Sequence, residues 1–151
     1  MVGQDGPDGS PRLFVLELPN RLSGLDSLHR FIERSGRDAG WSDRLSMNIT
    51  LVCEELLTNT ISYGYPQGND DTIRVTVACT DQAVEVVLED GAVPFDPLAA
   101  EAPDLGASLE ERPIGGLGIH FVRRLMDGIV YERTVSGNRL TLHKQIIRDQ
   151  K

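Results

Sequence analysis

The 151-residue sequence predicts an α+β fold, a two-layer α/β sandwich in which helices cover one face of a mixed, mostly antiparallel sheet. Two observations predict it. Apolar residues recur at strand-like and helix-like intervals in the order β-α-α-β-β-loop-α-β-β. Short turns join strands that follow each other directly, which favours antiparallel pairing. The regular alternation of strands and helices found in a Rossmann or P-loop domain is missing from this order.

The first half of the chain predicts one strand and two helices. Residues 12–18 are apolar and β-prone, and a Pro-Asn pair follows them. Residues 22–37 carry apolar side chains at helical spacing and are followed by glycine. Ser42 is a suitable N-cap for a second helix that extends to about Gly64.

The second half predicts four strands, one helix and a long irregular segment. Residues 72–80 and 83–88 read as a hairpin, and residues 129–134 and 139–146 read as another. Between the hairpins, residues 91–116 are rich in proline and glycine, and a helix follows from about Leu117 to Met126. A segment of this length inside a compact domain is either functional or disordered.

Composition and charge limit the domain organisation and the class of partner. We expect a disordered tail at residues 1–11, one domain at residues 12–147 and a short tail at 148–151. No apolar run approaches the ~20 residues that span a bilayer, and residues 1–11 lack the features of a secretion signal. The net charge of −8 argues against direct binding of nucleic acid.

The first candidate site is the pair Glu55 and Asn59 in the second helix. Residues four apart project from the same helix face, and asparagine is a poor residue for a helix interior. A carboxylate beside a carboxamide oxygen suits a hard cation such as Mg²⁺ with a hydroxyl or water nearby. A solvated polar face is the alternative reading of this pair taken alone.

Two further candidates lie at the ends of predicted elements. Asp90 ends a strand before a Gly/Pro turn, where it either forms an ordinary turn or accepts a hydrogen bond from a purine amino group. Gly115, Gly116 and Gly118 open the last helix, where backbone N–H groups and the helix dipole favour phosphate. A lid hinge or a simple helix start explains these glycines equally well.

The histidines and cysteines offer no catalytic pattern. His29, His120 and His143 are expected to have surface or structural roles. Cys53 and Cys79 lie in apolar segments without zinc spacing and are expected to be buried free thiols, which suits a reducing cytoplasm.

Taken in order, these motifs resemble the N, G1 and G2 boxes of the GHKL ATPases, whose domain has the Bergerat ATP-binding fold. The closest likeness is to the bacterial anti-sigma-factor serine kinases of the partner-switching type, and it covers about residues 12–147. The stretches that carry it are Glu54-Glu-Leu-Leu-Thr-Asn59, Pro94-Phe-Asp-Pro97, Arg112-Pro-Ile-Gly-Gly-Leu-Gly-Ile-His120 and Gly137-Asn-Arg-Leu-Thr-Leu142.

The resemblance implies a role for each candidate residue. Glu55 would be the general base, and Asn59 would coordinate Mg²⁺ on the phosphates of ATP. Asp90 would bind the adenine amino group, and residues 96–114 would form the ATP lid. The remaining nucleotide contacts would come from Ala92, Gly115, Gly116, Leu117, Gly118, Ile119 and Thr141.

The sequence departs from the family pattern at three positions. Ala92 stands where the G1 box has glycine, which puts the packing of adenine in question. Tyr63 stands where other GHKL proteins often carry a basic or imidazole side chain. Many of these proteins have a threonine near Asn138, for which Thr141 is the only candidate here.

Two functions follow from the resemblance. The first is an ATP-dependent protein serine kinase that phosphorylates an anti-anti-sigma (STAS) partner and sequesters a sigma factor, with ATP and Mg²⁺ bound and a homodimer expected. The second is a non-catalytic ATP-binding regulatory module whose nucleotide state sets partner choice. Whether the chain derives from a longer multidomain regulator stays open.

Overall fold

The computed structural model describes residues 10–99 and 116–146. Within these residues, five strands and three helices follow one another in the predicted order. They are β1 (Arg12–Pro19), α1 (Leu25–Ala39), α2 (Asp43–Tyr63), β2 (Thr72–Cys79), β3 (Ala83–Asp90), α3 (Gly116–Leu125), β4 (Gly128–Arg133) and β5 (Asn138–Gln145). Single 3₁₀ turns at Leu22–Gly24 and Pro97–Ala99 precede α1 and follow β3.

The element boundaries agree closely with the sequence pattern. The helix predicted at residues 22–37 is divided into the 3₁₀ turn and α1, and the other boundaries differ by at most two residues. Ser42 is the N-cap of α2, because its side chain accepts a hydrogen bond from the backbone N–H of Leu45 at 3.1 Å.

The five described strands form one sheet in the order β1-β2-β3-β5-β4, and every neighbouring pair is antiparallel. The sheet is therefore purely antiparallel in the described residues, rather than mixed. α1 and α2 connect β1 to β2, and β2 runs antiparallel to β1 beside it. β3 and β4 run in the same direction, but β5 lies between them and pairs with both.

The core lies between one face of the sheet and the three helices. Alternate residues of the central strands are buried there, as are the inward-facing residues of the helices. Large apolar side chains on the other face of the edge strands stay exposed, such as Leu13, Val15 and Val130. The prediction of helices on one face is confirmed.

Both cysteines are buried thiols that form no disulfide with each other, as expected. Burial raises the pKa of the Cys53 thiol to about 12, so this thiol is not a nucleophile at neutral pH. In residues 10–99 and 116–146, no helix combines the length and hydrophobicity of a membrane span.

Candidate active site

The Glu55–Asn59 pair lies on the inner side of α2. Asn59 Nδ2 donates a hydrogen bond to Glu55 Oε2 at 3.1 Å, and Asn59 is only 6 % exposed although asparagine is usually a surface residue. An ionised carboxylate only accepts hydrogen bonds, so the amide group must face Glu55. The carbonyl oxygen of Asn59 therefore faces away from Glu55, where a cation can bind it. The alternative of a solvated polar face is inconsistent with this burial.

Gly118, in the first turn of α3, lies directly against the Glu55 carboxylate. A Cβ atom built on Gly118 would overlap Glu55 Oε2 and Cδ. Only glycine permits this approach, because any side chain would occupy the position of the carboxylate. The contact brings the N-terminal turn of α3 and the acid of α2 into one site, although 63 residues separate the two in the sequence.

Asp90 ends β3 and organises the turn that follows. Its Oδ1 accepts hydrogen bonds from the Ala92 backbone N–H and from Asn138 Nδ2, both at 2.9 Å. Burial raises the pKa of Asp90 above its ordinary value, and the charge of Asp71 acts in the same direction. The two hydrogen bonds and Arg133 oppose this shift. Among the described residues, both hydrogen bonds to this carboxylate use Oδ1, so Oδ2 is available to a ligand.

Asn138, the first residue of β5, is the centre of a hydrogen-bond network around Asp90. It pairs in register with Asp90 on one side and with Arg133 on the other. Asn138 Nδ2 also donates to the Val93 carbonyl oxygen at 2.9 Å, and Asn138 Oδ1 accepts from Tyr131 Oη at 2.5 Å. Asn138 thus uses both ends of its amide while only 6 % exposed.

Arg133 completes this network. Its Nη1 donates to the Ala92 carbonyl oxygen at 2.7 Å and to Asn138 Oδ1 at 3.2 Å. The sequence analysis missed Asn138, Tyr131 and Arg133 as site residues. Asn138 was named only within the family-like stretch at residues 137–142 and as the reference point for Thr141. Its role could not be predicted, because the cross-strand partners become neighbours through the order of β3, β5 and β4.

Asp71 holds the other side of the same turn. Its Oδ2 accepts hydrogen bonds from the Gly91 backbone N–H at 2.7 Å and from Tyr65 Oη at 2.5 Å. Burial, followed by the hydrogen bond to Asp71, raises the pKa of Tyr65 and keeps the phenol protonated as a donor. The backbone after Asp90 is therefore fixed from two directions.

The structure accommodates the alanine that replaces the family glycine at position 92. Ala92 is 2 % exposed, and a Cβ atom built on Gly64 would lie 2.8 Å from the Ala92 methyl group. The methyl group therefore faces Gly64 at the end of α2, where the absence of a side chain leaves room for it. The Val93 N–H donates to the Gly64 carbonyl oxygen at 3.1 Å and reinforces this contact.

A small cavity lies beside Asp90, between α2 and the sheet. It has an accessible volume of about 20 Å³, enough for one water molecule. Leu56 and Thr60 line it from α2, and each directly follows Glu55 or Asn59 in the chain. Phe95 and Pro97 line it from the segment after β3. The Glu55–Asn59 pair and the surroundings of Asp90 are therefore neighbours along α2.

The other predicted ligands are distributed unevenly. Gly116 begins α3 and Leu117 follows in its first turn, whereas Ile119 is buried in the core at 4 % exposure. Gly115 and most of the predicted lid lie outside the described residues. Thr141 lies between buried Leu140 and Leu142, so its side chain is on the sheet face opposite the helices, away from Asp90. Asn138, rather than Thr141, is the β5 residue at Asp90.

The histidines stay outside the Glu55–Asn59 pair. His29 Nε2 lies 2.6 Å from Glu54 Oε1, joining α1 to α2 at a partly exposed position. His120 and His143 are exposed. Within the described part of the chain, no group of three or more His, Cys, Asp or Glu side chains could hold a metal ion alone. A cation at Asn59 would therefore take its further ligands from water or from a bound nucleotide.

An acid–asparagine pair on the helix between α1 and α3, a glycine-led helix start against it and a half-buried aspartate at a strand end are typical of the histidine-kinase-like class of ATP-binding domains. The chain belongs to the histidine kinase-like ATPase domain family, whose sequence model matches residues 18–144. The predicted GHKL membership is confirmed.

Two curated relatives carry kinase names. The serine/threonine-protein kinase BtrW of Bordetella bronchiseptica is 33% identical over 134 residues, which cover 88% of this chain and 94% of the relative. The serine-protein kinase RsbW of Listeria monocytogenes is 27% identical over 104 residues, which cover 65% of this chain and 66% of the relative. These two relatives confirm the predicted resemblance to protein serine kinases.

We expect Asn138→Leu to destabilise the fold and weaken ATP binding. Leucine has a similar size but leaves the buried polar groups around it without a partner, at a cost of about 1–3 kcal/mol for a buried group. Urea denaturation should show a loss of about 2–3 kcal/mol in the free energy of unfolding. The exposed Asn69→Leu variant serves as the control, and equal stability of the two variants would contradict the network.

Proposed function

We propose that this chain is an ATP-dependent protein serine kinase that phosphorylates an anti-anti-sigma (STAS-domain) partner and sequesters a sigma factor in its other complex. The observation that carries the proposal is the hydrogen bond between buried Asn59 and Glu55, whose carboxylate lies against the glycine start of α3. The kinase names of BtrW and RsbW support the enzyme class.

In this proposal Glu55 is the catalytic base. The acceptor serine gives its hydroxyl proton to the Glu55 carboxylate while its oxygen forms a bond to the γ-phosphorus of ATP. The bond from that phosphorus to the β–γ bridging oxygen breaks, and ADP leaves. Phosphoryl transfer depends mainly on positioning and on neutralising charge, so one positioned base is sufficient.

Asn59 has two tasks in this reaction. Its amide N–H group orients Glu55, and its carbonyl oxygen is the protein ligand for Mg²⁺. When bound, Mg²⁺ neutralises the negative charge of the triphosphate. Residues 51–100 contain nine acidic residues and one basic residue, so a triphosphate would be repelled here without a cation.

The glycine-led start of α3 suits the phosphates. Gly116 and Gly118 lie in the first turn, where backbone N–H groups have no partner within the helix and the helix dipole favours negative charge. Gly115 and the lid at 96–114 would close over the phosphates. Asp96 Oδ1 accepts from the Leu98 N–H at 2.8 Å and so orders the 3₁₀ turn at the start of that lid.

The free oxygen of Asp90 suits the adenine amino group. The neighbouring cavity is smaller than an adenine ring, so we propose that Phe95 and Pro97 move outward when the base binds. Arg123 Nη2 donates to the Leu98 carbonyl oxygen at 2.7 Å. This bond joins the segment after β3 to α3, the helix whose first turn would hold the phosphates.

The partner-switching role implies a homodimer in the cytoplasm. β1 is an edge strand with exposed Leu13 and Val15, and such an edge can pair with a second copy. The non-catalytic alternative was motivated by Ala92. Because the methyl group packs against Gly64, this residue gives no reason to expect a defective adenine site.

Labelled ATP tests the proposed activity. The protein is incubated with γ-labelled ATP, Mg²⁺ and the STAS-domain proteins of its own organism, and each product is analysed for phosphoserine. We expect transfer to one STAS protein and none to a variant with its acceptor serine changed to alanine. Saturable ATP binding without transfer to any STAS protein would instead favour the regulatory module.

Asn59→Ala should remove the Mg²⁺ dependence of ATP binding. Wild-type protein should bind ATP much more tightly with Mg²⁺ than with EDTA in calorimetry, whereas the variant should show nearly equal affinities. We expect a loss of about 10- to 100-fold in Mg-ATP affinity, of the size seen when groups supporting a metal site are removed. Asn48→Ala, on the same helix, is the control. Unchanged Mg²⁺ dependence in Asn59→Ala would exclude the metal role.

A further inference from the structure

A groove of about 310 Å³ runs between α2 and α3 and ends at the catalytic site. Its lining is mainly apolar, and Glu55 and Gly118 lie at one end. The groove is lined by Leu51, Val52, Glu54, Glu55, Gly118, Phe121, Val122 and Leu125.

Two large apolar side chains at the groove are exposed and therefore contribute little to the hydrophobic core. Leu51 is 50 % exposed and Phe121 is 60 % exposed, whereas Val52 and Val122 beside them are buried in the core. Leu51 precedes Glu55 by four residues and therefore lies on the same face of α2, one turn away. The exposed apolar surface thus leads directly to the proposed base.

We propose that this groove binds the segment of the protein substrate that carries the acceptor serine, and that it selects a bulky apolar side chain close to that serine. The inference rests on the proposed kinase function. A serine hydroxyl must reach Glu55 for transfer, so the chain on either side of the serine must pass over the residues adjoining Glu55. Leu51 and Phe121 are those residues on α2 and α3.

The spacing specifies where the apolar side chain lies. Four helical residues span about 6 Å, the distance along α2 from Glu55 to Leu51. An extended chain covers this distance in about two residues. The substrate should therefore carry its apolar side chain two positions from the serine. The carboxylates of Glu54 and Glu55 at the same groove disfavour an acidic residue there.

The test uses Leu51→Gln and Phe121→Gln, which keep helix-forming residues and remove the apolar surface. Val130→Gln is the matched control, because Val130 is 56 % exposed on the opposite face of the sheet. Each groove variant should raise the KM for the STAS protein about tenfold, the effect of losing contact with one apolar side chain. The affinity for Mg-ATP should be unchanged, and the control should behave as wild type.

A second arm changes the substrate. Replacing the apolar residue two positions from the serine with glutamine should raise the KM of wild-type enzyme about tenfold, but should add little in Leu51→Gln. An unchanged KM in both groove variants would overturn the proposal. A loss of ATP affinity would overturn it too, because the residues would then serve the nucleotide site.

Other occupants of the groove give different results. If a second copy occupies it, Leu51→Gln should lower the dimer fraction in analytical ultracentrifugation while the KM stays constant, and the proposal fails. If residues 100–115 of the same chain occupy it, the variants should speed their proteolysis without changing the KM, and the proposal also fails.

Failure of the kinase function is separable. If the chain is not a kinase, wild-type protein will transfer no phosphate to the STAS protein. The groove can then still be tested by measuring, in calorimetry with Mg-ATP present, how tightly the STAS protein binds wild type and Leu51→Gln. Equal affinity in that measurement would exclude the groove.

Discussion

Glu55→Gln should lower the rate of phosphoserine formation by about 10²–10⁴-fold, the range that a general base contributes. Glutamine has the same shape and still accepts the hydrogen bond from Asn59 Nδ2, so the site should keep its geometry. The substitution removes only the ability to take the serine proton. Single-turnover transfer from labelled ATP measures the rate, and calorimetry should give an ATP affinity within about twofold of wild type.

The adjacent acid supplies the control for this result. Glu54→Gln changes a carboxylate that contacts His29 instead of Asn59 or Gly118. Because Glu54 also lines the groove, the comparison uses saturating STAS protein, where we expect transfer at nearly the wild-type rate. Equal transfer by Glu55→Gln and wild type would exclude Glu55 as the base. A similar loss in both variants would point to the net charge of this helix segment instead.

Gly118→Ala should lower transfer by about 100-fold, the cost of a displacement of roughly 1 Å at a reacting group. The added methyl group would overlap the Glu55 carboxylate. That carboxylate is the end of a flexible side chain, so it should rotate away from Asn59 while α3 keeps its position. Alanine also favours a helix over glycine by about 1 kcal/mol, which offsets part of the packing cost.

Stability and activity should therefore separate in this variant. Urea denaturation should find the free energy of unfolding within about 1 kcal/mol of wild type, while transfer is nearly lost. Gly128→Ala is the control, because a Cβ atom there has its nearest contact at an ordinary 3.6 Å. Full transfer by Gly118→Ala would show that the carboxylate tolerates displacement, which is incompatible with its role as a positioned base.

The sequence predicted one half of the candidate site better than the other. Glu55 and Asn59 were predicted together because helical periodicity alone places residues four apart on one face. Asp90 was predicted from its position at a strand end, but its partners were not. Asn138 contacts Asp90, and Arg133 contacts Asn138, only because β5 lies between β3 and β4, and strand order is not encoded in local periodicity.

Thr141, in contrast, was predicted as a nucleotide contact, but the structure places it away from the site. It was chosen by analogy of residue type in the last strand pair, and strand alternation places it on the face away from the helices. Asn138, three residues earlier, lies on the helix side with Leu140 and Leu142. Asn138 and Thr141 therefore lie on opposite faces of β5, and only Asn138 lies on the face that carries the site.

The amino-acid sequence by itself determined the eight main elements, the capping of α2 by Ser42 and the shared face of Glu55 and Asn59. Each of these depends on residues within a few positions of one another, where periodicity and backbone preferences act. Tertiary structure alone decided that Gly118 contacts Glu55, that Gly64 leaves room for Ala92 and that Asn138 holds Asp90. Those contacts join residues 28 to 63 positions apart, and they exist because burying the apolar faces of sheet and helices brings distant segments together.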